Sequence, residues 1–572
     1  MCGILGGNNR KWNYDKGIQE IKHRGPDGQQ ARHLDGFSMA FARLSIIDLS
    51  EYGMQPMTSQ DGKVTIVYNG EIYGYSSLKK RLEKKYRFIS SSDTEVILKA
   101  YLEYGDEFVD KIDGMFAIAI YDQRCMQVKL FRDRVGIKPL YYYYDGYHFA
   151  FASELKAITK ACTDVNFQID KTAIYDFLFY QYIPEPKTMY KNCYKLPPAH
   201  KLIFDIKQRK ILSINKYWKL HVNTAKGRYR KKETLCDELR TLLDQSVQEQ
   251  LVADVPVGTF LSGGIDSSIV TYLSNVHSPN IHTFTIGFED EKYNEAQYAK
   301  MLTKKYNFNC TEKILNNADI RSINHKLKEW YDEPFADTSA YPSFIVSQLA
   351  REKVTVVLTG DGGDELFGGY NRYRIYAALM KEMVLDSDIL STLDSKLNIS
   401  RLLPDEYKRK YFTTSLENYF PMIFLATSKS TESYRKKLDI DKDYDIAWYL
   451  RKYYKKELPL LTRIRYLDFK TYLPSDILTK VDRVSMANSL EARVPYLSRK
   501  LIEFAFSLSE EECYTADELK KLLKEAYRKE IPEELLYRKK MGFGVPQDYL
   551  KDRRENRPIT IGILENEWKG II

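Results

Sequence analysis

No window of the chain approaches the ~18 consecutive apolar residues of a membrane-spanning helix, so no span is expected. The opening segment, MCGILGGNNRKWNY, is polar and lacks the apolar core of a secretory signal. No CxxC pair occurs. The seven cysteines (Cys2, Cys125, Cys162, Cys193, Cys236, Cys310 and Cys513) are an odd number and lie far apart, which argues against a structural zinc site and a disulfide framework. Tandem repeats and low-complexity segments are absent too. Net charge is slight: 87 Lys and Arg against 78 Asp and Glu leave +9 over 572 residues, an excess that singles out no partner. These absences lead to the expectation of a soluble, cytoplasmic chain with reduced cysteines, and with neither a membrane nor a nucleic acid as partner.

What is present is enough for several cores. At ~100–200 residues per domain the length allows two to four domains, and 44% hydrophobic with 29% charged residues is an ordinary globular balance. Residues 1–215 read as strand-rich, with apolar runs at Val64–Tyr68, Phe116–Tyr121, Val128–Phe131 and Tyr141–Tyr144. Turn signals at Asp61-Gly62, Asn69-Gly70, Asp113-Gly114 and Asp145-Gly146 separate them. A helix is predicted from Asp93. Residues 216–232 include the polar, basic stretch His221–Lys232 and read as a linker. From 233 to 572 the pattern alternates: a helix with Leu235, Leu239, Leu242, Val247 and Leu251 on one face, then Val257–Leu261, a helix from Ser267, Thr283–Gly287, a helix from Asn294, and Val354–Thr359. Such alternation predicts a parallel sheet covered by helices, and beyond Arg372 the chain turns mostly helical.

Two places carry chemistry. If Met1 is removed, Cys2 bears a thiol and a free α-amine, whose ordinary pKa of ~7.7–8.0 lets it take the thiol proton at neutral pH. Taken alone, Cys2 is as readily an ordinary small residue. The second place is Leu261-Ser262-Gly263-Gly264-Ile265-Asp266-Ser267-Ser268, between a strand and a helix. It lacks the Walker lysine, but its glycines admit an anion closely, and its hydroxyls and helix-start N–H groups suit phosphate. After Val354–Val357 a second glycine-rich run, Thr359-Gly360-Asp361-Gly362-Gly363-Asp364-Glu365, puts carboxylates at a strand's carboxyl end, where open α/β sheets bind ligands. Carboxylates beside a triphosphate call for a hard cation, so Asp266 and Asp364 are expected to share Mg²⁺.

The ordered set MCGI, His23-Arg24-Gly25-Pro26-Asp27-Gly28, Arg43-Leu44-Ser45-Ile46-Ile47-Asp48, Tyr68-Asn69-Gly70-Glu71-Ile72-Tyr73 and Ser92-Asp93-Thr94-Glu95 resembles the class II glutamine amidotransferase domain, an N-terminal-nucleophile fold. The SGGxDSS run resembles the PP-loop ATP pyrophosphatases. With Leu473-Pro474-Ser475-Asp476 through Asp482-Arg483 and Leu490-Glu491-Ala492-Arg493-Val494-Pro495-Tyr496, nearly the whole chain is similar to the glutamine-dependent asparagine synthetase family. The resemblance implies an αββα glutaminase domain (1–215) followed by an α/β synthetase domain with a parallel sheet and a mostly helical end (233–572). Cys2 would attack the glutamine amide, with Asn69 and the Gly70 N–H as oxyanion donors. Arg43 would grip the glutamine carboxylate, with Leu44, Ser45, Ile46 and Ile47 alongside, while Glu71 and Asp93 would hold its ammonium. Leu261, Ser262, Gly263, Gly264, Asp266, Ser267, Ser268, Ile286, Thr359 and Gly360 would bind ATP. Asp361 would serve acyl-adenylate formation, and Lys540, with Lys539 as a rival, would stabilise its charge.

Some positions depart from the family pattern. The stretch from Cys2 to His23 is short, Asp361 stands where many relatives carry glutamate, Gly363 accompanies it, and Ser498 replaces an aspartate. Aspartate is the expected acceptor. A uronic acid of a surface polysaccharide is the alternative, and a PP-loop RNA-modifying enzyme or a non-catalytic relic are further ones. Family members are often dimers, so a homodimer is the assembly the resemblance allows.

Overall fold

The computed structural model of the chain describes residues 1–223, 230–323, 326–381, 428–515, 517–538 and 544–546, with 549, 560, 563, 564 and 568. Part of the basic linker (224–229), Lys539, Lys540 and most of the tail after Leu550 lie outside these residues.

The first half is a sandwich of two six-stranded antiparallel sheets. One runs Cys193–Lys195, Tyr141–Tyr144, Phe149–Ala152, Gly3–Gly7, Phe37–Arg43, Gly28–Leu34; the other runs Lys210–Lys216, His200–Asp205, Gln127–Arg132, Asp113–Asp122, Val64–Tyr73, Met57–Thr58. Successive strand residues point to opposite faces, and the sequence uses this period of two to fill two cores at once. Ile4, Phe41, Val67, Ala117 and Phe151 meet between the sheets. Ile66, Tyr68, Ile118 and Ile120 face outward onto the helix Asp93–Tyr104. Tyr14–Glu20 and Leu155–Ala161 cover the other sheet, which completes four layers, αββα.

The second half holds a five-stranded parallel sheet in the order Asn309–Leu315, His282–Phe288, Val257–Phe260, Val356–Leu358, Glu491–Arg493. After Val257–Phe260 the chain adds strands on one side and then returns to the other. That strand's carboxyl end is therefore a topological switch point, where such sheets bind ligands. No helix among the described residues is long and apolar enough to cross a membrane.

Asn69-Gly70 and Asp113-Gly114 do not form the turns expected of them. Both pairs lie inside long strands, Val64–Tyr73 and Asp113–Asp122, which pair with Gly70 opposite Phe116 and Ile72 opposite Gly114. Gly70 has φ +157°, and a Cβ there would sit 2.0 Å from the Met115 carbonyl oxygen. Glycine is required by close approach of the facing strand, not by reversal of the chain.

A buried ion network joins the halves. Arg24 forks onto Asp482 at 2.8 and 3.0 Å and reaches Glu154 at 2.8 Å. From the other side Arg483 pairs with the same Glu154 at 2.9 Å, with Asp332 at 3.1 Å, and donates to the Tyr141 hydroxyl. Lys156 bridges Glu154 and Asp332. The side chains of Arg24, Glu154, Asp482 and Arg483 are at most 2% exposed. Removing one partner of such a pair costs about 3–5 kcal/mol, because the remaining charge stays buried. Asp482→Ala is therefore expected to lower the unfolding temperature and to split a single calorimetric transition into two, one for each half.

Candidate active sites

Cys2 sits just before the strand Gly3–Gly7, whose pairing sets Gly3 opposite Ala42, so the thiol lands beside the Arg43–Leu44 segment. Its Sγ lies 3.8 Å from the Leu44 carbonyl oxygen. Burial pushes the thiol up, and a positive N-terminus pulls it back. Met1 precedes it, so the Cys2 nitrogen is an amide here, donating to Asn69 Oδ1 at 3.0 Å. That bond orients Asn69, whose side chain is fully buried and whose Nδ2 has no hydrogen-bond partner among the described residues. A buried, unmade N–H donor is costly unless a ligand oxygen fills its place, and a carbonyl that becomes an oxyanion is such an oxygen.

Around this thiol lie the expected glutamine residues. Arg43 is buried and donates to the carbonyls of Asp48 and Ser50. The Ser45 N–H bonds Asp27, the Ile46 carbonyl accepts from the Asp254 amide, and Ile47 is half-buried. The Asp93 carboxylate accepts from the Tyr68 hydroxyl at 2.9 Å and the Ile72 amide at 3.2 Å. Burial pushes Asp93 up to about 6 despite those bonds. Burial and repulsion from Asp93 raise Glu71 well above the carboxylate range, although Arg493 lies 3.5 Å away. Two neighbouring acids held above their ordinary values suit an incoming ammonium.

The SGGIDSS loop leaves the switch-point strand and opens the helix Ile265–His277. Ser262 and Ser267 hydroxyls lie 3.0 Å apart, and the N-cap residue, Gly264, has no side chain to cap the helix start, a setting that suits an anion. The second glycine run packs hard against this loop: a Cβ on Gly360 would meet the Ser267 nitrogen at 2.7 Å, and one on Gly363 would meet Asp266 at 2.5 Å. The two runs wall a cavity of about 1190 Å³, together with Leu261 and Ile286. Gly263 and Ser268 stand behind that wall. None of the described residues before 260 lines it, so the thiol and the cavity are separate sites.

Asp266 and Asp364 meet at Lys520, whose Nζ pairs with both. Burial alone would lower Lys520, but the two carboxylates raise it. Two hard oxygen donors already focused on one cation fit Mg²⁺ arriving with a triphosphate. Asp361 is raised by burial against the pull of Lys480. Lys480 holds Asp337 at 3.1 Å and the Ser339 hydroxyl at 2.8 Å, and Asp476 lies close enough to raise it further. Arg538 grips Glu295 at 2.6 Å and the Gly263 carbonyl at 3.1 Å, tying the nucleotide loop down. Lys520, Lys480, Asp337 and Arg538 were not singled out from sequence. Lys520 immediately precedes the lysine-rich helix Lys521–Ala526, a stretch that charge pattern cannot distinguish from a solvated face. Lys480 lay within a motif already noted, which was the available signal.

A family model described as a glutamine amidotransferase domain matches residues 1–218, and one described as asparagine synthase matches 238–565. Asparagine synthetase (glutamine-hydrolyzing) 1 of Bacillus subtilis is 33% identical over 100% of this chain and 91% of its own length. A Methanocaldococcus jannaschii protein provisionally named asparagine synthetase (glutamine-hydrolyzing) 2 is 37% identical over 85% of this chain and 98% of its own. An amidase of Gibberella zeae is 26% identical over 92% and 84%.

A raised carboxyl binds an ammonium only when ionised. Glutamine binding to the Cys2→Ala protein, followed from pH 5 to 8, is expected to weaken as pH falls through about 6, where Asp93 becomes protonated. Asp93→Asn is expected to raise KM for glutamine about 10- to 100-fold, the loss of one charge-assisted hydrogen bond.

Proposed function

The chain belongs to the glutamine-dependent asparagine synthetase family, and from that premise we propose that it amidates aspartate to asparagine with ammonia released at Cys2. At the coarser level it is a glutamine-hydrolysing, ATP-consuming carbon–nitrogen ligase with a carboxylate acceptor. The observation that carries the choice of acceptor is the ground around Lys480 in the cavity. Asp337 and Asp361 line the cavity beside it, and Asp476 lies close enough to act on it from behind the lining. An amino-acid acceptor brings an ammonium that this acidic ground attracts, and Lys480 offers a cation to a carboxylate. A uronic acid brings negative charge and hydroxyls only. It keeps one point in its favour, Asp361 in place of the glutamate common among relatives.

In the proposed reaction Met1 is first removed. The freed α-amine takes the thiol proton, and Cys2 Sγ attacks the glutamine side-chain amide while Asn69 Nδ2 and the Gly70 N–H hold the oxyanion. A donor so placed is worth ~2.7–4 kcal/mol. Ammonia leaves, and water hydrolyses the thioester. In the cavity the acceptor carboxylate attacks the α-phosphorus of ATP and pyrophosphate departs. Ser262, Ser267 and the helix-start N–H groups hold phosphate oxygens, and Lys520 and Lys480 balance charge on them and on the acyl-adenylate. Asp266 and Asp364 would hold Mg²⁺, which supplies charge neutralisation on the phosphates. Ammonia then displaces AMP. Lys540 retains its proposed role beside the adenylate, and a homodimer is the proposed assembly.

ATP–pyrophosphate exchange is expected with aspartate and not with a nucleotide-linked uronic acid; the opposite pattern assigns the acceptor to the sugar. Cys2→Ala is expected to abolish glutamine-dependent synthesis and leave synthesis from added ammonium intact.

A further inference from the structure

The loop that follows Arg43 in the first half is fastened by a residue of the second. Asp254 lies on the connection between the helix Lys232–Gln250 and the strand Val257–Phe260, shortly before the nucleotide loop. Its carboxylate accepts from the Asp48 amide at 2.8 Å, and its own amide donates to the Ile46 carbonyl at 2.9 Å. Two hydrogen bonds of opposite sense thus clamp the loop. The connection that carries Asp254 is itself held, because the buried Arg493 donates to the carbonyls of Gln250 at 2.6 Å and Val252 at 2.7 Å.

Asp48 needs such an anchor. It holds φ +58°, in the left-handed region where a residue with a side chain stays only when its surroundings fix it. Its carboxylate accepts from the Ser50 hydroxyl, from the Ser50 amide at 3.0 Å and from the Ser91 amide at 2.8 Å. Its carbonyl accepts from the Arg43 guanidinium, and its N–H goes to Asp254. The carbonyl bears most directly on the site. Arg43 is buried and rests on the Asp48 carbonyl and, at 2.7 Å, on that of Ser50, while a Cβ on Gly53 would overlap its guanidinium. An Asp48 carbonyl turned away would take one of these props from Arg43 and change its aim.

We propose that Asp254 is a positioning residue for glutamine, a role that rests on the proposed grip of Arg43 on the glutamine α-carboxylate. By pinning the Asp48 amide, Asp254 keeps the Asp48 carbonyl on Arg43 and so aims the guanidinium. Part of the glutamine site is then supplied by the synthetase half, from the connection that leads into the nucleotide loop. Removing the Asp254 carboxylate lets the Asp48 backbone leave the left-handed region while its side chain stays tied to Ser50 and Ser91. The effect falls on the carboxylate end of glutamine and spares the thiol.

Hydrolysis of three amides by the full chain tests this: glutamine, 4-carbamoylbutanoate, which lacks the ammonium, and 4-aminobutanamide, which lacks the carboxylate. Asp254→Ala is expected to raise KM for the first two about three- to tenfold, the worth of an ordinary hydrogen bond, with kcat unchanged. Its kcat/KM for 4-aminobutanamide is expected to match wild type, which separates a misaimed Arg43 from a fold loosened as a whole. Asp254→Asn still offers an oxygen to the Asp48 amide and is expected to behave as wild type. Arg43→Ala is the control for the site and is expected to abolish the preference for amides that carry the carboxylate. If it does so while Asp254→Ala leaves every KM unchanged, the positioning role is overturned and the grip of Arg43 stands. An equal loss on all three amides, or an Asp254→Asn protein as impaired as Asp254→Ala, also overturns the positioning role. If Arg43→Ala keeps the preference, the carboxylate grip is overturned and the role of Asp254 with it.

Discussion

The structure depends on a charge balance that neither half can satisfy alone. Glu154 belongs to the antiparallel sandwich and Asp482 and Arg483 to a helix of the second half, yet Arg24 spans Glu154 and Asp482 while Arg483 returns to Glu154. Each of these groups is almost wholly removed from water. A buried charge survives only with good partners, so the halves are held at one relative position, where all the partners coincide. Arg24 Nε also donates to the Cys2 carbonyl at 3.3 Å, so the network that sets the domain geometry also touches the backbone of the nucleophile.

Both reactive regions share a design in which polar groups are left for a ligand to complete. The Asn69 Nδ2 group keeps no partner among the described residues, and burial holds Glu71 and Asp93 above their ordinary pKa, with Asp93 adding to the rise of Glu71. In the second half the helix start at Ile265 is uncapped, and Asp266 and Asp364 lean on a borrowed ammonium from Lys520. Substrate binding at each place relieves a cost already present, which is how a rigid fold gains selectivity without large movement.

Much of this was legible from local pattern. The strand before SGGIDSS, the helix after it and the helix from Asp93 follow from periodicity and sequence-adjacent signals, and the structure has them at Val257–Phe260, Ile265–His277 and Asp93–Tyr104. The failure at Asn69-Gly70 is instructive. That pair is a strong turn signal, and only the facing strand, some 45 residues away, reveals that its glycine serves close approach. Lys520, Asp337 and the Arg24–Asp482 fork stayed hidden for the same reason. Each acquires meaning from a partner far along the chain, and one lysine among many carries no mark of that partner.

Between the helices Leu460–Lys470 and Leu478–Ala487 the chain makes a π-helical turn at Leu473–Ile477. From the helix that follows, Lys480 reaches the cavity while Asp482 and Arg483 reach the sandwich, so one rotational setting serves two destinations. Each residue turns an α-helix by about 100°, and a single insertion or deletion in the π turn would swing both sets of side chains away together. Spacing there is consequently less free to drift than the side chains it carries, and length variation among descendants of this chain should gather in segments other than this one.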